Sequence, residues 1–226
     1  MDNPDKLFRI GHRQRLRQKF INGQLAEYEL LELVLSFVIP RRDVRPLAHG
    51  LIAKFGSIYQ ILTAPLPDLI NYPGIGQNTA VFLKAIAQLM ISGCKFQLTD
   101  QPVFRDEKAF RNYCVLMLSG KANEELHVMY LDSTLRLLAD DLHSIGTSDW
   151  SPVYPREILK RALDLSARSV VLLHNHPTPG LCFSDADIDI TKEVAALLTS
   201  CGIELYDHYL VSGGVLYSAR NLFLLK

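Results

Sequence analysis

The stretch that most constrains this chain runs from Ser169 to Asp187. A charge-free, valine-rich run, Ser169–Leu173, passes directly into His174-Asn175-His176-Pro177. Seven residues later Ser184-x-x-Asp187 opens a helical pattern, Asp185–Ser200, that ends at Gly202. The apolar run suits a buried strand. Residues i and i+2 of a strand share a face, so His174 and His176 aim both rings at one point. Asp187 falls in the first turn of the following helix, where the chain can fold it back to that point. Two imidazoles and a carboxylate around an open fourth position form the ligand set of a catalytic zinc, which lowers the pKa of its bound water to about 7. A carboxylate outside the ligand set must then take the proton. Alone, His-x-His is a weak signal. Alone, Ser184-x-x-Asp187 describes a helix start, with Ser184 as N-cap and Asp187 favoured by the helix dipole. Their conjunction on a strand–loop–helix frame is much more specific, and the cap is compatible with it.

The rest of the chain divides by texture. Residues 11–93 read as helices without strand alternation: Gly11–Asn22, Glu27–Phe37, Val44–Phe55 behind Asp43, Ile58–Thr63, Leu66–Asn71 and Asn78–Ser92. Residues 94–103 read as a linker. Beyond it, Phe104–Leu118, Tyr154–Asp164 and Asp185–Ser200 read as helices. Glu125–Leu131, Leu135–His143, Ser169–Leu173, Ile203–Val211 and Val215–Ser218 read as strands. Two domains are expected, 1–95 all-α and 103–226 mixed α/β. The charges follow the division. The 24 basic and 24 acidic side chains cancel overall, but residues 1–100 carry +4 and residues 101–226 carry −4. With 48% hydrophobic residues, dominant disorder is excluded.

No apolar run approaches the roughly 18 residues of a membrane span. The first twenty residues lack the apolar core of a secretory signal. Cys94, Cys114, Cys182 and Cys201 form no Cys-x-x-Cys pair. Free thiols in a reducing cytoplasm are therefore expected.

The motif His-x-His-x7-Ser-x-x-Asp, with Pro177 first of the seven, resembles the signature of JAMM (MPN/JAB) metalloprotease domains. The longer string HNHPTPGLCFSDADIDIT is similar to the RadC family in particular. GHRQRLRQKF, AEYELLELVLSFVIPRRDVRPLA, FGSIYQIL, YPREILKRAL and LYDHYLVSGG extend the likeness over residues 9–220. Thr178-Pro179 stands where Ser-Gly is more usual, and Phe183 where Pro is common; both alter the loop between the ligands, not the ligands.

The resemblance implies an α+β two-domain protein, with an N-terminal all-α helix-hairpin-helix domain and a C-terminal α/β JAMM domain of cytidine-deaminase-like fold. It implies zinc on His174, His176 and Asp187, and Ser184 as a donor to the oxyanion. The JAMM general base is a Glu opening an early strand, some 45–50 residues before the first His. Glu125 is preferred, Glu124 competes, and Glu157 is a third candidate. Zinc-dependent hydrolysis of a peptide or isopeptide bond is expected, on a protein or peptide substrate. A DNA-associated accessory role or a metal-dependent nuclease is the alternative.

His208, in Tyr206-Asp207-His208-Tyr209, reads first as a sheet histidine and second as a group behind the ligands or touching substrate. His12, His49, His127 and His143 read as structural, and Cys182 as a small loop residue. Leu69–Ala80 matches a helix-hairpin-helix pattern around Pro73-Gly74-Ile75-Gly76. Gly74, Gly76, Thr79 and Lys84 are the candidates for sequence-independent contact with a DNA phosphate.

Overall fold

A computed structural model describes residues 4–146, 153–178, 180 and 182–225; side chains are described from residue 11 onward, Asp100 excepted. The chain divides into two compact units, residues 1–88 and 89–226.

The first unit is helical: α1 (Pro4–Ile21), α2 (Glu27–Val38), α3 (Arg45–Phe55), α4 (Ile58–Thr63), α5 (Leu66–Ile70) and the start of α6 (Gln77–Asp100). The caps are legible locally. Glu29 accepts from the Ala26 N–H at the start of α2. Ser57 accepts from the Gln60 N–H at the start of α4. Gly56, at φ 97°, ends α3. Leu31, Leu35, Leu47, Leu51, Ile61, Leu69 and Leu83 form the core. The one buried carboxylate of α2, Glu32, pairs with His12 at 2.7 Å.

Residues 94–100, expected as linker, continue α6 to Asp100. Nothing in Cys94–Asp100 breaks a helix; the first Pro is Pro102. The segment Gln77–Thr99 is also long and apolar enough to cross a membrane by length and composition. Ala80, Leu83 and Ala87 of this helix pack into the helical core.

The second unit is built on a five-stranded sheet in the order β2-β1-β3-β4-β5. The strands are β1 (Glu125–Leu131), β2 (Leu137–Ile145), β3 (Ser169–Asn175), β4 (Glu204–Ser212) and β5 (Val215–Ser218). β3 and β4 are parallel and the other pairs antiparallel. A 3-10 turn, Val103–Arg105, precedes α7 (Glu107–Leu118); α8 (Pro155–Asp164) follows β2, and α9 (Asp185–Ser200) links β3 to β4. Every residue of β3 is buried, as the unbroken apolar run required. Leu126, Val128 and Tyr130 of β1 and Val170 and Leu172 of β3 meet Ile158 and Ala162 of α8 and Val194 and Leu198 of α9. On the opposite face α7 lies against the sheet, with Phe110 edge-on to Tyr209 at 5.0 Å. The two sheet faces thus differ in what covers them, and the parity of a residue on β1 or β3 decides which face it joins.

Candidate metal centre

His174 is the penultimate residue of β3, paired across the sheet with Leu126 of β1 and Leu210 of β4. His176 follows two residues later, its N–H donating to the Val211 carbonyl at 3.0 Å, so the strand geometry persists past Asn175. Both Nε2 atoms converge, 3.2 Å apart. Asp187 meets them from α9. Its Oδ1 is 3.4 Å from His174 Nε2 and its Oδ2 is 3.3 Å from His176 Nε2.

Ser184 explains why Asp187 sits there. The Asp187 N–H donates to Ser184 Oγ at 3.1 Å. Asp187 Oδ2 in return accepts from the Ser184 N–H at 2.8 Å and from its hydroxyl at 2.7 Å. This is a reciprocal capping box. The cap and the ligand geometry are therefore one arrangement: the box holds the carboxylate over the two rings.

The triangle fits a metal. A tetrahedral ion with bonds of about 2.0–2.2 Å places neighbouring ligand atoms roughly 3.3–3.6 Å apart. The two histidine Nε2 atoms are 3.2 Å apart, and the two Asp187 oxygens reach one ring each, Oδ1 to His174 at 3.4 Å and Oδ2 to His176 at 3.3 Å. These spacings are long for ordinary hydrogen bonds to nitrogen. Burial alone would raise the Asp187 carboxyl, but the adjoining His174 and His176 rings and the Ser184 hydroxyl hold it far below the usual carboxylate range. Asp187 raises His176 in turn. Glu124 completes the cluster: one donor atom from each of Glu124, His174, His176 and Asp187 lies within 4.8 Å of the others. Burial pushes the Glu124 carboxyl up, partly offset by His174.

The place beside the ligands expected for Glu125 therefore belongs to its neighbour. Leu126, Val128 and Tyr130 share a face with His174, and Glu124 has their parity. Glu125 has the other parity. It pairs with Lys121 at 3.0 Å and faces His127 Nε2 at 3.5 Å. That face carries a separate buried network. His127 Nδ1 lies 3.1 Å from Asp140, which also accepts from the Tyr113 hydroxyl. Glu157 sits in the first turn of α8, away from the cluster.

Two contributors escaped the sequence reading. Asn175, between the two histidines, points its amide at the β1 entry. It accepts from the Glu125 N–H at 2.9 Å and donates to the Asn123 carbonyl at 3.1 Å. It thereby brackets Glu124 on both sides. Thr191 joins Asp187 to His208, its hydroxyl donating to the Asp187 carbonyl and lying 2.6 Å from His208 Nδ1. His208 Nε2 is 2.8 Å from His174 Nδ1, so His208 is a buried, hydrogen-bonded sheet histidine that also stands directly behind His174. Burial pushes His208 well below its ordinary value. Phe183 packs edge-on to both rings, at 5.7 Å from His174 and 5.2 Å from His208. Cys182 is exposed and free.

Residues 104–223 match the family model described as a RadC-like JAB domain. The chain belongs to the RadC family. The matched segment contains the whole sheet of this RadC protein and all four members of the cluster.

In the helical unit, α5 and α6 are joined by residues 71–76, and Gly74 adopts φ 92°. Gly74 and Gly76 are exposed. Thr79 is buried instead, because it faces the core beside Ala80. Lys84 is turned inward: its ammonium donates to the Leu62 and Ala64 carbonyls at 2.9 and 3.0 Å, satisfying the end of α4. Neither side chain is placed to meet a phosphate.

Proposed function

We propose that this RadC protein is a zinc-dependent hydrolase of peptide or isopeptide bonds, acting in a reducing cytoplasm. The observation that carries this reading is the convergence of a fourth group, Glu124, on the triangle of His174, His176 and Asp187. Imidazole and carboxylate donors in a tetrahedral frame suit zinc. His174, His176 and Asp187 would hold the ion and leave a position open. Bound zinc supplies a water of lowered pKa and polarises the scissile carbonyl.

Glu124 takes the water's proton and later gives it to the leaving amine. Its partial burial suits a carboxyl that must hold a proton between the two transfers. Ser184 turns its hydroxyl to the developing oxyanion. Asp187 tolerates that turn, because the Ser184 N–H also donates to Oδ2. The test is Glu124→Gln in the full chain. It should keep its zinc and lose cleavage of peptide and isopeptide-linked substrate pools, read by mass spectrometry. A zinc-loaded wild type that cleaves neither pool, or an unimpaired Glu124→Gln, would overturn the reading.

A second reading rests on the helical unit. Residues 69–80 follow a helix-hairpin-helix pattern, and a Cβ added at Gly74 would meet the Arg42 guanidinium at 3.1 Å. Arg42 thus stands beside the exposed hairpin backbone, a pairing that favours an anionic chain such as DNA. DNA binding by the full chain should then fall steeply with salt, with a shallower slope for Arg42→Ala. No binding to duplex or single-stranded DNA at low salt would end this reading.

A further inference from the structure

His208 and Thr191 belong neither to the ligand triangle nor to the proton transfers assigned to Glu124, yet they tie two ligands together. We propose that Thr191 and His208 are positioning residues that fix the tautomer of His174 from the far end, so that Nε2 offers a lone pair to the metal position. This deepens the metal-site reading above and assumes nothing about the substrate.

The direction of the chain follows from its last acceptor. The Asp187 backbone carbonyl can only accept, so the Thr191 hydroxyl must donate to it. A hydroxyl has a single hydrogen. Towards His208 Nδ1, 2.6 Å away, Thr191 Oγ1 is therefore the acceptor, and Nδ1 carries the proton. A neutral imidazole with its hydrogen on Nδ1 has a bare Nε2. That bare nitrogen accepts from His174 Nδ1–H at 2.8 Å. In its neutral form His174 then keeps its lone pair on Nε2, the atom 3.4 Å from Asp187 Oδ1. A lone pair facing a carboxylate oxygen is repulsive unless a positive group lies beside both, either a metal ion or a proton on His176 Nε2, 3.2 Å from His174 Nε2. The chain of hydrogen bonds thus turns a bare Nε2 of His174 towards the place where the cluster could hold a cation.

The chain is also a closed ring. It starts at the backbone of Asp187, climbs one turn of α9 to Thr191, crosses to His208 on β4 and His174 on β3, and ends opposite the side chain of Asp187. Two ligands from different elements are thereby held in register. Thr191, His208 and His174 are each at most 2% exposed. Water is not at hand to replace a missing partner, and Phe183 packs against both rings. His176 lacks such a brace: its Nδ1 is buried with no hydrogen-bond partner among the described residues. Orientation of the imidazole pair therefore depends on the His174 side. Partners of this kind behind metal ligands typically control affinity by about 10–100-fold.

The test uses the full chain and zinc alone. Zinc affinity is measured by chelator competition for wild type, Thr191→Val, Thr191→Ser, His208→Leu and the Thr191→Val/His208→Leu pair. The tautomer of His174 is read by 15N NMR in metal-free wild type. Thr191→Val and His208→Leu should each weaken zinc binding by about 10–100-fold. Thr191→Ser, which keeps the hydroxyl, should restore near-wild-type affinity. The double variant should bind no more weakly than the worse single one, because both break one chain. Metal-free melting temperatures should not follow this order, as they would if the residues served packing alone. The NMR should show the proton on Nδ1. Affinities within about twofold of wild type for both single variants, equal failure of Thr191→Ser and Thr191→Val, or a proton on Nε2 would overturn the proposal. A wild type that takes no zinc would instead sink the metal reading, and the tautomer would still decide the relay.

Discussion

Asn175 Oδ1 accepts the Glu125 N–H at 2.9 Å, and this bond helps decide which of two adjacent glutamates faces the histidines. With the second bond, from Asn175 Nδ2 to the Asn123 carbonyl, it locks the backbone on either side of Glu124. The residue between the two histidines thus positions Glu124 opposite them. Asn175→Ala should leave zinc content unchanged and lower kcat. A displacement of about 1 Å at a reacting group can cost about 100-fold, which sets the scale. Turnover measured at equal zinc loading checks this.

The two glutamates should separate cleanly. Glu124→Gln should cut turnover by about 10²–10⁴-fold, the range for a general base. Glu125→Gln should keep most activity, because its partners are Lys121 and His127 on the other sheet face. Parallel steady-state assays of the two variants decide between them.

This pair also marks how far the sequence could be read. The convergence of His174, His176 and Asp187 was legible because strand periodicity and a capping motif fix it locally. Five of the strands and the helix over Asp185–Ser200 were legible for the same reason. The alternation of β1 was visible too, but not which face carried the site. That depends on α9 covering the Leu126 side, a tertiary fact. The inward turn of Lys84 is of the same kind. A lysine near a hairpin suggests phosphate, while the open carbonyls at the end of α4 are apparent only once α4 and α6 are packed. Asn175 and Thr191 were missed because a buried amide or hydroxyl has no periodic signature; its meaning lies in partners 52 and 17 residues away.

Ser184 carries two loads that different measurements separate. Ser184→Ala removes an N-cap, which should cost about 1 kcal/mol of stability. If the hydroxyl also serves the oxyanion, turnover should fall by about 10²–10³-fold, more than the lost stability accounts for. Ser184→Thr should recover both. Urea denaturation and single-turnover kinetics on the same samples provide the comparison.

Asp140 should govern part of the acid stability of the second unit. Burial alone would raise its carboxyl, but bonds from His127 and Tyr113 hold it below the ordinary value. A carboxylate depressed in the folded state adds stability above its unfolded pKa and loses it as pH falls through the folded value. The loss should therefore set in below about pH 4. Asp140→Asn should flatten that acid limb, seen as a shallower fall in melting temperature between neutral and acid pH.

The central claim is that His174, His176 and Asp187 hold one metal ion with Glu124 beside it. Its most direct measurement is zinc per chain, by elemental analysis of dialysed wild type, His174→Ala/His176→Ala and Glu124→Gln. The account predicts close to one zinc for wild type and for Glu124→Gln, and none for the double histidine variant. Equal zinc in the wild type and the double histidine variant would contradict it.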